Sequence, residues 1–543
     1  MTFKPGLMQE WSLTTDRLLD HAARWHGARN VATRRPDGSI GRKNYADVHC
    51  DAKRLSSALL AAGIQAGDCV ATLAMNGVEH LEAWYAISGI GAICHTLNPR
   101  LSDEQLVYIV GHAQDRIILA DAAFAPILER ILPACACVER IVFFTPPADA
   151  PDFNTPQCML SDFIDGGSGE AEWGGFDERS AAGLCYTSGT TGNPKGVLYS
   201  HRSNFLHALT TLQPDVFGFR ACDVVMPVVP MYHANAWAVV FSAPAAGSKL
   251  VMPGARLDGA SLLELIEEEG VTVALGVPTV WLGLLQHLAE TGRRPATLKR
   301  VIIGGCACPE RVIRGFSELG IEPLHAWGMT EMSPVGGVGA LTPEIAALPF
   351  DEQMPWRLKQ GRSPVGIDLK LLDEVNGRVP HDGVTPGRLF ARGPAIASGY
   401  YRDERTILDA EGYLDTGDIA TIDEQGFMRI TDRAKDVIKS GGEWISSIDI
   451  ENAAMMHPKV ALAAVVGKSD DKWGERPVLF LELVSGDQAT AAEITAFLEG
   501  RIPKWWMPDE VIFMDAMYIG ATGKIDKKRV RQQLADTADS RKE

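Results

Sequence analysis

The run Tyr186-Thr187-Ser188-Gly189-Thr190-Thr191-Gly192-Asn193-Pro194-Lys195-Gly196 follows the apolar stretch Ala181 to Cys185 and packs three glycines, four Ser/Thr residues and one lysine into eleven positions. Glycines let backbone N–H groups close around an anion, the hydroxyls of Thr187, Ser188, Thr190 and Thr191 add donors, and Lys195 adds positive charge. The order is not that of a Walker A loop. From Gly189 the next glycine comes at Gly192 rather than five positions on, and Gly196, not Ser or Thr, follows the lysine. The run reads as a phosphate-gripping turn of another kind, set at the end of a strand.

The chain around it is long and acidic. Its 543 residues carry 52 Lys plus Arg against 69 Asp plus Glu, a formal charge of −17. That length allows three or four folding units. That charge argues against nonspecific binding to nucleic acid or to an anionic membrane. Apolar residues make up 46% and charged residues 22%, with no biased tract, which excludes collagen-like, disordered and coiled-coil classes. The ten cysteines are scattered, and the close pairs Cys135/Cys137 and Cys306/Cys308 lack zinc-site spacing, so they read as small hydrophobes in a reducing compartment. The opening residues lack the features of a signal peptide, and the longest apolar stretches fall short of a membrane span. A cytoplasmic protein without a membrane span is expected.

Helical and strand patterns alternate from Thr14 to about Ala120: helical spacing over Leu18–Trp25, Ala46–Leu60 and Leu81–Ile90, with short strand-like runs such as Cys69–Leu73 and Ile117–Ala120. Ser102 and Gln105 have capping-box spacing. A polar stretch from Pro146 to Glu178 interrupts the rhythm and is expected to run over the surface. A second α/β segment follows, with strand-like runs at Val224–Val229, Lys249–Met252, Val271–Leu275 and Arg300–Ile303. From Asp351 to Asp432, turn signals such as Asn376-Gly377, Pro386-Gly387 and Gln425-Gly426 space short strands into a small β-rich subdomain. After Arg433 the pattern is mixed again, and a polar, frayed tail is expected beyond Ala535. The predicted fold is α/β: an N-terminal domain, 1–432, of two α/β subdomains plus the β-rich one, and a smaller mobile α+β domain, 433–543.

With these segments in order, the chain resembles the adenylate-forming enzymes, the superfamily of acyl-CoA synthetases, peptide-synthetase adenylation domains and beetle luciferases. The glycine loop, with Thr187, Ser188, Gly189, Thr190, Thr191, Gly192 and Lys195, is similar to the family's phosphate-binding signature. Met231 to Trp237 resembles the aromatic-His segment beside the acyl pocket, which gives His233, Ala234 and Trp237 a place there, His233 among the catalytic set. Gly304-Gly305 resembles the adenine-side turn. His325-Ala326-Trp327-Gly328-Met329-Thr330-Glu331 resembles the aromatic-Gly-x-Thr-Glu segment. Asp418 lies in a Thr-Gly-Asp motif, Arg433 and Lys435 in the hinge, Gly441-Gly442 in the following glycine turn, and Lys524 in Ala-Thr-Gly-Lys-Ile.

The resemblance implies an ATP-dependent acid–CoA ligase. Bringing a carboxylate to the α-phosphate joins two anions, so charge must be neutralised first. Mg²⁺ would serve this, on Glu331 and the Thr187 hydroxyl. Thr330 would bond the α-phosphate, Lys524 would bridge carboxylate and nucleotide, Asp418 would take the ribose hydroxyls and Trp327 would stack on adenine. Lys435, Lys439 and Trp444 resemble nucleotide-proximal residues of the long-chain branch. Rotation about Lys435 would then withdraw Lys524 and present the Gly441-Gly442 face to coenzyme A, whose thiol displaces AMP.

Acetate-specific members close the pocket with a Trp where this chain has Gly328, so a longer acid is expected. Trp237 stands where fatty acyl-CoA synthetases keep a tryptophan at the mouth of the acyl tunnel, amid apolar Val239, Val240, Phe241, Met329, Met332 and Pro334. Whole segments, LNPRL at 97–101, VVPMYHANAW and HAWGMTEMSP, resemble bacterial 3-(methylthio)propionyl-CoA ligases, which grade into medium- and long-chain fatty acyl-CoA ligases. The implied substrate is 3-methylthiopropionate, with a medium- or long-chain fatty acid as the alternative and carrier-protein loading a further one. A homodimer is expected from the long-chain branch. Two departures stand out: Cys306-Ala307-Cys308 replaces small or hydroxyl residues, and Tyr518-Ile519-Gly520 replaces a Pro-Lys-Thr type approach to Lys524.

Overall fold

A computed structural model of the chain describes residues 6–147, 153–187, 193–441, 443–520 and 524–540. Two large sheets dominate. One has seven strands in the order Gln157–Met159, Arg140–Phe143, Ile117–Ala120, Cys69–Leu73, Ile93–Thr96, Ala181–Thr187 and Lys195–Ser200, all parallel except the last pair. The other has eight: Val335–Val338, Glu322–Gly328, Arg300–Ile303, Val273–Gly276, Val224–Pro227, Lys249–Met252, Asn30–Arg34 and Ile40–Asn44. Its inner pairings are parallel and the strand at each end is antiparallel. Strands of parallel sheets are covered on both faces, which is why Cys69–Leu73 and Ile117–Ala120 read as unbroken apolar runs and are buried throughout.

The helix Val78–Gly89 joins the two sheets. Nearly every one of its residues is buried, and Trp84, Tyr85 and Ile87 share one core cluster with Val70 and Ile117 of the seven-stranded sheet and Val31, Leu250 and Leu275 of the eight-stranded one. A helix buried on nearly every side belongs inside a large domain, and the Glu82 carboxylate it carries there is paired with Lys43. The remaining predicted elements fall close to their expected bounds: Asp16–His26, Tyr45–Ala61, and a full capping box on Asp103–Ala113 in which Ser102 and Gln105 exchange hydrogen bonds.

Two smaller sheets follow. Asp368–Leu372, Gly387–Arg392, Leu414–Ile422 and Met428–Arg433 form an antiparallel meander, as the turn signals predicted. Beyond it, Ile438–Ser440, Glu443–Ile445, Val460–Asp470, Gly474–Leu483 and Glu510–Met514 form a sheet packed by the helices Ser447–Met455, Ala491–Leu498 and Lys527–Ser540. The architecture is α/β in the larger part and α+β in the smaller.

Two expectations need correction. The polar 146–178 stretch carries an edge strand, Gln157–Met159, and a short helix, Leu160–Asp165, because Leu160 and Phe163 supply enough apolar surface to dock them. The tail does not fray at Ala535. Val530 and Leu534 pack on Val478 and Phe480 and carry the helix to Ser540. No described helix is long and apolar enough to cross a membrane, and all ten cysteines are free thiols.

Candidate active site

The glycine-rich run is a hairpin connection. Thr187 ends one strand and pairs across the ladder with Lys195, which begins the next. Ser188, Gly189, Thr190, Thr191 and Gly192 lie outside the described residues. The Lys195 ammonium stands 4.7 Å from the centroid of the Tyr400 ring, and the Gly196 carbonyl accepts from the Tyr401 N–H at 2.8 Å. The loop base is thus tied to a segment two hundred positions later.

Tyr400 also reaches the second motif. Its hydroxyl donates to Glu331 Oε1 at 2.8 Å, while the Ala397 N–H donates to the Glu331 carbonyl at 2.8 Å. Glu331 is buried on the short helical turn Thr330–Met332, whose Thr330 carbonyl accepts from the Tyr199 hydroxyl at 2.7 Å. One carboxylate, with one oxygen held by a phenol and the other uncommitted among the described contacts, fits a hard cation that takes its remaining ligands from phosphate and water. Among the described residues no group of three or more His, Cys, Asp or Glu side chains is assembled for a metal.

The third group is built on Asp418. Its Oδ2 accepts from Trp327 Nε1 at 2.9 Å and its Oδ1 pairs with Arg433 Nε at 2.8 Å. Asp418 and Arg433 are also ladder partners, so strand register sets this pair. Burial raises the Asp418 pKa, and the Arg433 charge opposes that rise. Trp327 is held edgewise by Asp418 and packs against the backbone of Gly336. At Gly328 a Cβ would lie 1.8 Å from the Pro334 carbonyl oxygen. No side chain fits there, so the wall that a tryptophan would build at 328 is absent for a steric reason.

Gly305 is where the lysine arrives. It has φ +89°, and a Cβ built on it would stand 3.8 Å from Lys524 Cε, 3.9 Å from Trp237 Cζ2 and 3.1 Å from Val277 Cγ1. The positive φ is what calls for glycine, and the Lys524 and Trp237 side chains both reach this turn at van der Waals range. Burial, with the charges of Arg433 and Lys435, lowers the Lys524 pKa, while Cys306 and Asp418 pull the other way. Lys524 forms no ion pair among the described residues, which leaves the ammonium for an anionic ligand.

Trp237 is delivered by unusual backbone. Ala234, Asn235, Ala236, Trp237 and Ala238 have φ of 43°, 58°, 52°, 57° and 64°, a left-handed turn without glycine. Each such residue costs about 1–2 kcal/mol, and strain of this kind gathers at functional sites. Asn235 pins the turn by accepting from Trp84 Nε1 at 3.0 Å in the core. His233 precedes the turn and meets Tyr232 edge-to-face. Val239, Val240 and Phe241, read from sequence as the apolar surroundings of Trp237, lie in the buried cluster that Trp237 packs against, Phe241 resting on Trp84.

Ala326 joins this convergence: its carbonyl oxygen and the Trp237 ring flank Gly304, each 3.0 Å from where a Cβ would stand. His325 is buried with its imidazole on the Leu358 carbonyl at 3.0 Å, and burial lowers its pKa to about 4. Ala326 and Met329 continue the same chain segment, Ala326 in the strand Glu322–Gly328 and Met329 just past it. Lys435 is exposed just beyond the strand Met428–Arg433, and desolvation with the charges of Arg433 and Arg531 lowers its pKa. Lys439 is exposed, pairs with Glu374 at 3.3 Å and stands 5.8 Å from the Trp444 ring. Gly441 donates to the Trp473 carbonyl at 2.7 Å. Gly442 lies outside the described residues. Lys439, Gly441 and Trp444 therefore form a separate cluster. Tyr400 and Tyr199, which brace Glu331 and Thr330, carry no sequence signature and were not singled out.

The chain as a whole has known relatives. The AMP-binding enzyme family matches residues 19–401 and the AMP-binding enzyme C-terminal domain matches 449–524. The chain is 45% identical over 98% of its length, and 99% of the relative's, to a 3-methylmercaptopropionyl-CoA ligase of Ruegeria lacuscaerulensis. It is 43% identical to a medium-chain-fatty-acid–CoA ligase of Ectopseudomonas oleovorans, covering 98% of each. Its fold matches that of an anthranilate CoA ligase in complex with anthranoyl-AMP, with TM-score 0.86 and 23% identity, over 98% of this chain and 99% of that one.

Proposed function

The chain belongs to the AMP-binding enzyme family, and from that premise we propose that it is an ATP-dependent acid–CoA ligase. The observation that carries this reading is the meeting of Lys524, Trp237 and Gly305 beside the Trp327–Asp418–Arg433 chain. In this reading the N-terminal domain, 1–432, holds ATP and the acid, and the domain 433–543 carries Lys524 as a lid.

A carboxylate oxygen of the acid attacks the α-phosphorus, the bond to the pyrophosphate oxygen breaks, and pyrophosphate leaves. Lys524 holds charge on the attacking oxygen and the nucleotide. Lys195 and the Thr187–Gly192 loop hold the outgoing phosphates, and Thr330 bonds the α-phosphate. Asp418 takes the ribose, and Trp327 lies along the base, with Ala326 and Met329 beside it. Glu331, with the Thr187 hydroxyl, would hold Mg²⁺, which supplies charge neutralisation when bound. The thiolate of coenzyme A then attacks the acyl carbon, the carbon–oxygen bond to AMP breaks, and AMP leaves. Splitting one condensation into two displacements is the advantage of the adenylate. Lys435 is the hinge, and the Lys439–Gly441–Trp444 cluster is the face offered to coenzyme A.

The acid we propose is 3-methylthiopropionate, supported by the 45% identical relative and by glycine, in place of a tryptophan, at position 328. A medium-chain fatty acid is the second reading, favoured by the 43% identical relative. A homodimer acting in the cytoplasm completes the proposal. The test is CoA-dependent AMP release over acids from acetate to palmitate together with 3-methylthiopropionate. A maximum at 3-methylthiopropionate is expected. Equal rates across the panel overturn the substrate, and release of ADP in place of AMP overturns the ligase.

A further inference from the structure

Arg311 lies on the helix Glu310–Glu318, shortly after the Gly304-Gly305 turn. Its guanidinium leaves the larger part of the molecule and enters the smaller. Nη1 donates to the Val460 carbonyl at 2.8 Å and Nη2 to the Ala461 carbonyl at 2.5 Å. In a regular strand successive carbonyls point to opposite sides, so one guanidinium does not take two in a row. Here the ladder between Val460–Asp470 and Gly474–Leu483 slips between Val460 and Leu462. A bulge of this kind re-aims the backbone, and both oxygens are presented to Arg311.

The charge has no other described support. Arg311 forms no ion pair among the described residues, burial lowers its pKa, and its Nε is buried without a partner. Around it the two bodies do not close on each other. A cleft of about 860 Å³ separates Leu282, Leu285 and Leu319 on one side from Leu462 and Val484 on the other. At this corner the contact therefore rests on hydrogen bonds to backbone rather than on packed apolar surface, and such a contact can be made and broken without opening a core.

The same relative placement of the two bodies sets Lys524 Cε 3.8 Å from the position a Gly305 Cβ would take. We propose that Arg311 is a positioning residue: it latches the C-terminal part in the orientation that brings Lys524 to the acid-activating site, and it contributes nothing to transfer onto coenzyme A. The proposal rests on the ligase reading and on rotation of the lid between the two half-reactions.

Full-length Arg311→Ala and Arg311→Lys enzymes test it through the two half-reactions. Acid-dependent exchange of pyrophosphate into ATP reads activation, and acylation of coenzyme A from supplied acyl-adenylate reads transfer. Loss of two hydrogen bonds from a charged donor lowers exchange by about 10- to 100-fold in Arg311→Ala, with transfer unchanged and part of the exchange restored in Arg311→Lys, which keeps one donor group. An equal fall in both half-reactions, or no fall in either, overturns the latch. Trypsin cleavage of the linker at Lys435 gives a readout independent of activity: with ATP present, Arg311→Ala is cut faster than wild type. Should the wild-type enzyme ligate no acid, the ligase reading fails, and the cleavage rate alone decides: an unchanged rate rejects the latch.

Discussion

The Tyr400 hydroxyl and the Glu331 carboxylate are joined at 2.8 Å, and the face of the same tyrosine ring receives Lys195 at 4.7 Å. One side chain therefore sets the distance between the cation of the phosphate loop and the carboxylate assigned to the metal. Tyr400→Phe keeps the ring and loses the bond. Removing a hydrogen bond to a charged group costs about 1.5–3 kcal/mol. Pyrophosphate exchange is expected to fall about 10- to 100-fold and to need more Mg²⁺ for half-maximal rate, while the melting temperature stays put. An unchanged Mg²⁺ dependence would reject the role given to Tyr400.

In the proposed mechanism Lys524 acts as an ammonium, so its contribution is present below its pKa in the folded enzyme and is lost as pH rises through it. Burial and the charges of Arg433 and Lys435 set that pKa below the ordinary lysine value. The activation half-reaction should lose rate on an alkaline limb lying below that value, and Lys435→Gln, which removes a repelling charge, should move the limb to higher pH. Lys524→Ala should nearly abolish pyrophosphate release while ATP still binds, as read by calorimetry.

Asp418 holds Trp327 and Arg433 at once. Asp418→Asn leaves Arg433 without its counter-charge and turns one donor toward another. A loss of about 1.5–3 kcal/mol in stability to urea is expected, together with weaker binding of ATP. Trp327→Phe, which removes one hydrogen bond and keeps an aromatic face, should cost less. Equal losses for the two variants would mean that the Trp327–Asp418 bond, and not the ion pair, is the main support.

The left-handed turn stores strain that glycine would relieve. Ala238→Gly should stabilise the fold by a few tenths to about 1 kcal/mol, measured by thermal melting. Because a relaxed turn holds Trp237 less firmly, selectivity among acids of different length should broaden in the same variant. A stabilised enzyme with unchanged selectivity would separate the strain from the acyl site.

Much of the candidate site is written in short contiguous runs, which a sequence alone can display. Thr187 to Lys195, Trp327 to Glu331 and the Gly304-Gly305 turn each hold their chemistry within a few positions. The strands Cys69–Leu73, Lys249–Met252 and Arg300–Ile303 were readable because burial on both faces leaves an unbroken apolar run. What escaped depends on contacts distant in sequence. Tyr400 matters through Glu331 and Lys195, and nothing around Gly399-Tyr400-Tyr401 marks it. The left-handed turn is written mainly in alanine, a residue that signals helix of the other hand. Lys439 and Trp444 follow the hinge in sequence yet turn toward Glu374 and toward each other, since the strand pair Ile438–Ser440 and Glu443–Ile445 directs them there.

The slipped register at Val460 bears on solubility as well. Val460–Asp470 lies at the margin of its sheet, paired on one side only. Such a margin invites another strand to add to it, and the proposed rotation of the lid would carry it away from its cover. The irregularity at its beginning spoils the straight row of acceptors that an incoming chain would need. A sequence change that ironed it flat would lengthen the adhesive border, and its first visible effect would be aggregation at high protein concentration during turnover.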